Sequence, residues 1–285
     1  MTQSAVVNGP KPRAPQKRGI ARASKRLDSA YPPQCNRLLA ALPAADYKRL
    51  LPHLEFVALP LGASIYEAGS HMKQMFFPTD GIVSMLSVMQ NGDSAEIAVI
   101  GSEGLVGISL FMGGESTPSR AVVQSAGHAY VLPAKVLTAE FQRGGELQHL
   151  LLRFTQALIA QMTQTAACNR HHTVAQQLCR WLLLSLDRLP SNEIIMTQEL
   201  LANMQGVRRQ GITAAASQLQ ANGLVEYSRG RITVLDRAAL EKQVCECYLV
   251  VKRESDRLLT GILQKPARAS PDKARRLSST KQRKT

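Results

Sequence analysis

The spacing of apolar residues divides the chain into segments of different period. From Leu54 to Leu132 they fall in short runs, at 55–59, 64–66, 75–77, 82–88, 96–100, 121–125 and 129–132. Turn-forming residues separate most of the runs: Pro60-Leu61-Gly62, Glu67-Ala68-Gly69, Thr79-Asp80-Gly81, Asn91-Gly92-Asp93 and Gly101. Asn91-Gly92 suits a two-residue hairpin, because both residues tolerate the positive φ that such a turn requires. Many short strands at close spacing predict an all-β roll or barrel. Ahead of them, residues 36–50 carry Leu38, Leu39, Leu42 and Leu50 and predict one short helix.

The period then changes. Between residues 146 and 171, Leu147, Leu150, Leu151, Phe154, Leu158, Gln161, Met162 and Thr165 recur at three- and four-residue intervals. This predicts a helix ~39 Å long at 1.5 Å per residue. So long a helix with one apolar stripe needs a partner. We expect a parallel dimer seam of Leu147, Leu151, Phe154, Leu158, Gln161 and Thr165; packing on the chain's own β domain is the competing reading. A second helix is expected over residues 173–189, with Val174, Leu178, Trp181, Leu182 and Leu186 inward and Pro190 and Asn192 closing it.

Residues 196–235 predict two short helices, a tight break and a hairpin. Thr197 is placed to cap the first helix, with Glu199 in its first turn and Leu200, Leu201 and Met204 apolar. Gly206 permits the break. The second helix is expected from near Arg208 to Asn222-Gly223. Ile212, Ala215, Ala216 and Leu219 share one side of it, while Arg209, Gln210, Thr213 and Ser217 share another and can all hydrogen-bond. A helix that reads a DNA groove needs this division. Arg209 suits a bidentate contact to guanine and Gln210 one to adenine. Residues 224–227 and 232–234 follow as a hairpin, whose Ser228-Arg229-Gly230-Arg231 turn would lie near phosphates. The pattern is that of a winged helix-turn-helix. Its expected DNA contacts are Thr197, Gln198, Arg208, Arg209, Gln210, Thr213, Ser217, Arg229 and Arg231.

At 285 residues, 45% of them hydrophobic, the chain is long enough for two folded domains. It has no apolar stretch long enough to span a membrane and no secretory leader, so a cytoplasmic location is expected. The net charge of +14 is concentrated at the ends: residues 1–34 carry +6, residues 264–285 carry +7 and the rest only +1. These Pro-, Ala- and Ser-rich ends read as disordered tails. They either add salt-sensitive attraction to phosphates or simply keep the protein soluble. The five cysteines, Cys35, Cys168, Cys179, Cys245 and Cys247, suggest a reducing compartment. Cys245-x-Cys247 lacks the second pair usual for a metal site, so it reads as helix packing. His171-His172, at a helix junction, could bind a metal together with Cys168, but such a cluster reads more simply as a polar helix end. No metal site is expected. No catalytic constellation of Ser/His/Asp or Cys/His type, phosphate loop or metal-protease motif is present, so no enzyme is expected.

The order of a β-roll, a long helix and a C-terminal winged helix resembles the Crp/Fnr family of bacterial transcription regulators over about residues 36–236. The motifs that carry the likeness are Asp80-Gly81-Ile82-Val83, Gly101-Ser102-Glu103-Gly104-Leu105-Val106-Gly107, and Thr197-Gln198-Glu199 through Gly206-Val207-Arg208-Arg209-Gln210. Where the family reads Gly-x-Ser/Thr-Arg-Glu-Thr-Val, this chain keeps Arg209. It carries Gln210 for the Glu and Arg208 for the small capping residue, and Ala214 falls where some members have a further Arg. The resemblance implies an α+β chain with six parts. They are a basic arm (1–34), an antiparallel, jelly-roll-like effector roll (35–145), a dimerisation helix (146–171), the winged helix-turn-helix (172–240), a C-terminal helix (241–263) and a basic tail (264–285). It also implies a homodimer on a palindromic double-stranded DNA operator, with RNA polymerase as a further partner. In cyclic-nucleotide-binding members a Gly-Glu holds the ribose and a later Arg the phosphate. The aligned pocket here would be Gly107, Ile108, Thr117, Ser119 and Arg120. The Glu is missing after Gly107 and Arg120 comes two residues late, so weak or no binding of cyclic AMP is expected and no cofactor is named. Cys35 alone is too few for an iron–sulfur sensor, and His71 next to Met72 is a lone haem candidate. A stand-alone cyclic-nucleotide-binding module and a tail-driven nonspecific nucleic-acid binder are the alternatives.

Overall fold

The computed structural model describes residues 20–22 and 30–259. Two four-stranded antiparallel sheets form the N-terminal roll. The first has β1 (Ala21–Arg22), β2 (Glu55–Leu59), β8 (Gly127–Pro133) and β4 (Gln74–Pro78), in that order. The second has β3 (Ser64–Tyr66), β7 (Ser119–Ser125), β5 (Ile82–Val88) and β6 (Ser94–Ile100). The hairpin joining β5 to β6 does not close in the two-residue loop expected at Asn91-Gly92: the Met89 N–H donates to the Asp93 carbonyl at 2.8 Å, so Gln90, Asn91 and Gly92 form the loop, and of these only Gly92 has a positive φ, 91°.

The sequence reading is corrected at three places in this half. The helix expected over residues 36–50 is two, α1 (Arg37–Ala41) and α2 (Ala44–Leu50), because Pro43 cannot donate a backbone bond within a helix. The arm expected through residue 34 is partly folded: Ala21 and Arg22 pair with Ala58 and Val57, and the Tyr31 ring stacks on His128 at 4.9 Å. A helix not foreseen, α3 (Ala134–Gln142), caps the roll. The remainder of the basic arm and the tail from residue 260 lie outside the described residues.

The long helix α4 spans Glu146–His171, the expected bounds. Thr173 then caps α5 (Val174–Leu186) in a capping box with Gln176. The DNA module follows with β9 (Glu193–Ile195), α6 (Gln198–Gln205), α7 (Arg209–Ala221), β10 (Val225–Ser228) and β11 (Arg231–Val234). Its strands form a three-stranded sheet in the order β10-β11-β9. Residues 241–263, expected as one helix, hold the end of α8 (Arg237–Gln243), a break at Val244 and α9 (Cys247–Leu258).

Two hydrophobic cores explain the layout. The first fills the roll and takes in Leu147, Leu150, Leu151, Phe154 and Leu158 of α4. The second lies around Trp181 and joins α5, α6 and α7 to Ile82, Leu86, Val99 and Val122 on the outer face of the second sheet. Strand β5 is therefore covered on both faces, which is why its first five residues are all buried. The roll and the DNA module share this second core.

Candidate nucleic-acid interface and effector pocket

The local sequence fixes the helix-turn-helix. The Thr197 hydroxyl accepts from the Leu200 N–H at 3.2 Å and starts α6. Gly206 ends it at φ 65°. A Cβ there would sit 3.2 Å from the Ala95 methyl, so the turn also abuts the β5–β6 hairpin of the roll. Arg208 is extended at ψ 142° and its side chain makes no cap, so α7 starts with free N–H groups. Two arginines at the positive end of a helix dipole oppose the helix but favour an incoming phosphate.

On α7, Ile212, Ala215, Ala216 and Leu219 are buried, and Arg209, Gln210, Thr213, Ala214 and Ser217 are exposed. Thr213 Oγ1 lies 2.8 Å from Gln198 Oε1 and 3.0 Å from the Arg209 carbonyl, so it ties the two helices together. Arg209, Gln210 and Ser217 are the outward groups left with the freest reach. The wing turn closes in two residues, with Ser228 opposite Arg231. Arg229 has φ 49° and Gly230 φ 78°, the signs a type I′ turn demands. The wing is held by Tyr227, whose hydroxyl donates to the Met196 carbonyl at 2.9 Å. Burial raises the Tyr227 pKa, so it stays a donor. Arg231 pairs with Glu193, which leaves Arg229 the wing cation better placed for a phosphate.

The expected seam on α4 is corrected. Leu147, Leu151, Phe154, Leu158, Gln161 and Thr165 are each at most 5% exposed within one chain. The Phe154 ring lies on Gly104, where a Cβ would come within 2.2 Å of it. Gln161 Nε2 donates to the Val99 carbonyl (3.0 Å), and Thr165 Oγ1 accepts from Arg180 (3.1 Å). These residues hold the roll and α5, so the competing reading, packing on the chain's own β domain, applies to that stripe. The opposite stripe was missed: His149, Leu152, Gln156, Ile159, Thr163, Ala166 and Arg170 are exposed at alternating intervals of three and four. Leu152 is 48% and Ile159 51% exposed. The sequence signal was present, but it is thin beside the denser inner stripe.

In the roll, Gly107 has φ 114° and Ile108 begins a short 3-10 turn. Thr117 Oγ1 and Ser119 Oγ share a hydrogen bond of 3.0 Å. Arg120 Nε lies 3.1 Å from Glu67 Oε2, so the one arginine of the expected pocket already has an anionic partner. The rings of Phe111 and Phe141 stack at 5.0 Å and belong to the roll's core, with Leu110 buried beside them. His71 is exposed and sits 3.8 Å from Glu115.

Residues 56–143 match the family model described as the cyclic nucleotide-binding domain. Residues 176–243 match the Crp-like helix-turn-helix domain. Among solved structures, the chain resembles a protein from Eubacterium rectale described as a transcriptional regulator of the Crp/Fnr family. That match is 18% identical, covers 75% of this chain and 98% of that one, and has a TM-score of 0.59. FixK2 from Bradyrhizobium japonicum matches at 14% identity over 67% of this chain and 98% of its own, with a TM-score of 0.57. CLP of Xanthomonas campestris, described as a c-di-GMP-responsive global regulator, matches at 16% identity over 68% of this chain and 100% of its own, with a TM-score of 0.54. At these identities the likeness is one of fold. A comparison with curated proteins finds no match.

Proposed function

Because this chain belongs to the Crp/Fnr family of transcription regulators, joining a cyclic nucleotide-binding domain to a Crp-like helix-turn-helix, we propose that it works as a homodimer reading a two-fold-symmetric DNA site. The observation that carries this reading is the pair of exposed faces. One is the outward side of α7, with Arg209, Gln210 and Ser217. The other is the stripe on α4 through Leu152 and Ile159. Positions alternating by three and four residues form the seam of a left-handed coiled coil. A seam there would present the two reading helices symmetrically, as half-sites about one duplex turn apart require.

The effector is a signal other than classical cyclic AMP. Ile108 stands where a ribose-binding acid would be needed, and Arg120 is engaged with Glu67. A cyclic phosphate buried without a free cation is poorly held. No catalytic step and no cofactor belong to this reading. The place of action is the cytoplasm, with RNA polymerase as a further partner, and among the described residues no helix is long and apolar enough to cross a membrane.

Selection of bound fragments from random duplexes tests the reading. A palindromic consensus with half-sites about ten base pairs apart is expected. Recovery of unrelated sequences, with binding abolished by removing the basic tails, would instead make it a charge-driven binder. Calorimetry with cyclic AMP and c-di-GMP in turn should show no micromolar binding of the former.

A further inference from the structure

The residues read from sequence as packing cysteines and a polar helix end converge in space. Cys168 lies in the last turn of α4 and His172 is the residue that ends that helix. Cys245 and Cys247 flank the corner between α8 and α9. One donor atom from each of the four lies within 4.8 Å of every other. Cys168 Sγ is 3.6 Å from Cys245 Sγ, and Cys247 Sγ is 3.5 Å from His172 Nδ1. All three thiols are buried and form a small cluster apart from both main cores.

We propose that these four side chains are a structural metal site of the Cys3His class, which takes zinc or another thiophilic divalent ion. The distances support it. With metal–sulfur bonds of about 2.3 Å and metal–nitrogen bonds of about 2.0–2.1 Å, a tetrahedron has edges of about 3.8 Å between sulfurs and about 3.6 Å between sulfur and nitrogen. The Cys168–Cys245 and Cys247–His172 separations lie within a few tenths of an ångström of these. The donor set is soft, which selects zinc over magnesium or calcium. Four protein donors close the shell, as in structural rather than catalytic sites.

The surroundings are those a metal-bound histidine needs. His172 turns Nδ1 toward the sulfurs, and its Nε2 lies 3.3 Å from Glu246 Oε2. A carboxylate on the far nitrogen fixes the tautomer that leaves Nδ1 free to ligate. Gln177 Nε2 donates to the His172 carbonyl at 2.9 Å and holds that residue's backbone. Gln164 Nε2 donates to Cys247 Sγ at 3.0 Å. Three thiolates on a divalent ion leave one net negative charge, and the buried guanidinium of Arg180, held 3.1 Å from Thr165 Oγ1 one turn before Cys168 on α4, supplies a positive charge on that side.

The ligands come from the two places where the chain passes between the long helix and the elements around the DNA module. A bound ion would clasp the hinge at His172-Thr173 to the corner before α9, and so fix how the module sits on α4. The site does not depend on what the module reads.

Elemental analysis of the full chain, purified in reducing buffer without chelator, should find about one zinc per chain. Cobalt exchanged into the protein should show thiolate-to-cobalt charge transfer and the strong ligand-field bands of a tetrahedral ion. Cys245→Ser and His172→Ala should each lose the metal, while Cys35→Ser, at a buried cysteine in the roll, should keep it. Glu246→Gln leaves all four ligands in place and should weaken zinc about 10–100-fold, a readout that does not depend on a core substitution folding. A folded, metal-free chain with no tetrahedral cobalt spectrum on titration would overturn the site. A Cys168–Cys245 disulfide in that metal-free protein would reassign the cluster as a redox pair.

Discussion

Arg209 and Arg229 separate two kinds of contact within one interface. Arg209 is exposed in the first turn of the reading helix, so Arg209→Ala should cost about 1–3 kcal/mol at the selected site and relax one base position. Arg229 sits at the wing tip, and Arg229→Ala should weaken binding to every duplex alike. Competition binding against single-base variants of the site distinguishes the two effects. A third residue carries a pH dependence. Ser84 Oγ lies 2.6 Å from Glu96 Oε2 and 2.8 Å from Gln124 Oε1, and Gln124 Nε2 donates to Ser185 at 3.0 Å. Ser84 has a single proton, so a protonated Glu96 donating to it completes a chain from the roll into α5. Burial raises the Glu96 pKa to about 7 against the opposing pull of Ser84 and Arg180. The unfolded chain releases this proton near 4.5, whereas the folded chain keeps it up to about 7. This contribution to stability is therefore complete below that interval, declines as pH rises through it and levels off above it. Thermal unfolding of Glu96→Gln should match the parent at the acid end of the interval and exceed it above the interval.

The long helix shows how one element serves two surfaces. Its inner stripe is occupied by the roll, so Phe154→Ala should destabilise the fold by about 3–5 kcal/mol. Its outer stripe exposes Leu152 and Ile159, which nothing among the described residues covers, so Ile159→Glu should yield a folded monomer. Light scattering and denaturant unfolding on both variants test this. A dimer that survives Ile159→Glu would remove the outer stripe from the interface. The periodicity of α4 was legible in the sequence to its last residue, because apolar spacing is a local property. Which stripe faces the roll was not legible, because both stripes are compatible with a helix. Tertiary contacts distinguish them: Phe154 on Gly104, Gln161 on the Val99 carbonyl and Thr165 on Arg180.

In the whole molecule the roll and the reading module share a core, and Gly206 of the helix-turn-helix abuts Ala95 of the β5–β6 hairpin. A change in the roll therefore has a short physical path to the turn before α7. The net charge lies elsewhere, in ends carrying +6 and +7. Removing residues 264–285 should lower affinity for all duplexes and flatten the salt dependence, by a slope of about 0.9 for each phosphate that the tail had neutralised. Site preference should persist, since the reading face of α7 is untouched. Binding isotherms at several salt concentrations measure both quantities.

Local chemistry was sufficient to define the strand runs of the roll, the bounds of α4, the cap at Thr197, the break at Gly206 and the division of α7 into buried and exposed sides. Each of these depends on neighbours a few residues apart, where backbone geometry alone decides. The choice of stripe on α4, the pairing of Arg120 with Glu67 and of Arg231 with Glu193, and the meeting of Cys168 and His172 with Cys245 and Cys247 were decided by the tertiary fold. Those partners are brought together by the packing of separate elements, and linear spacing carries no record of which distant side chains will meet.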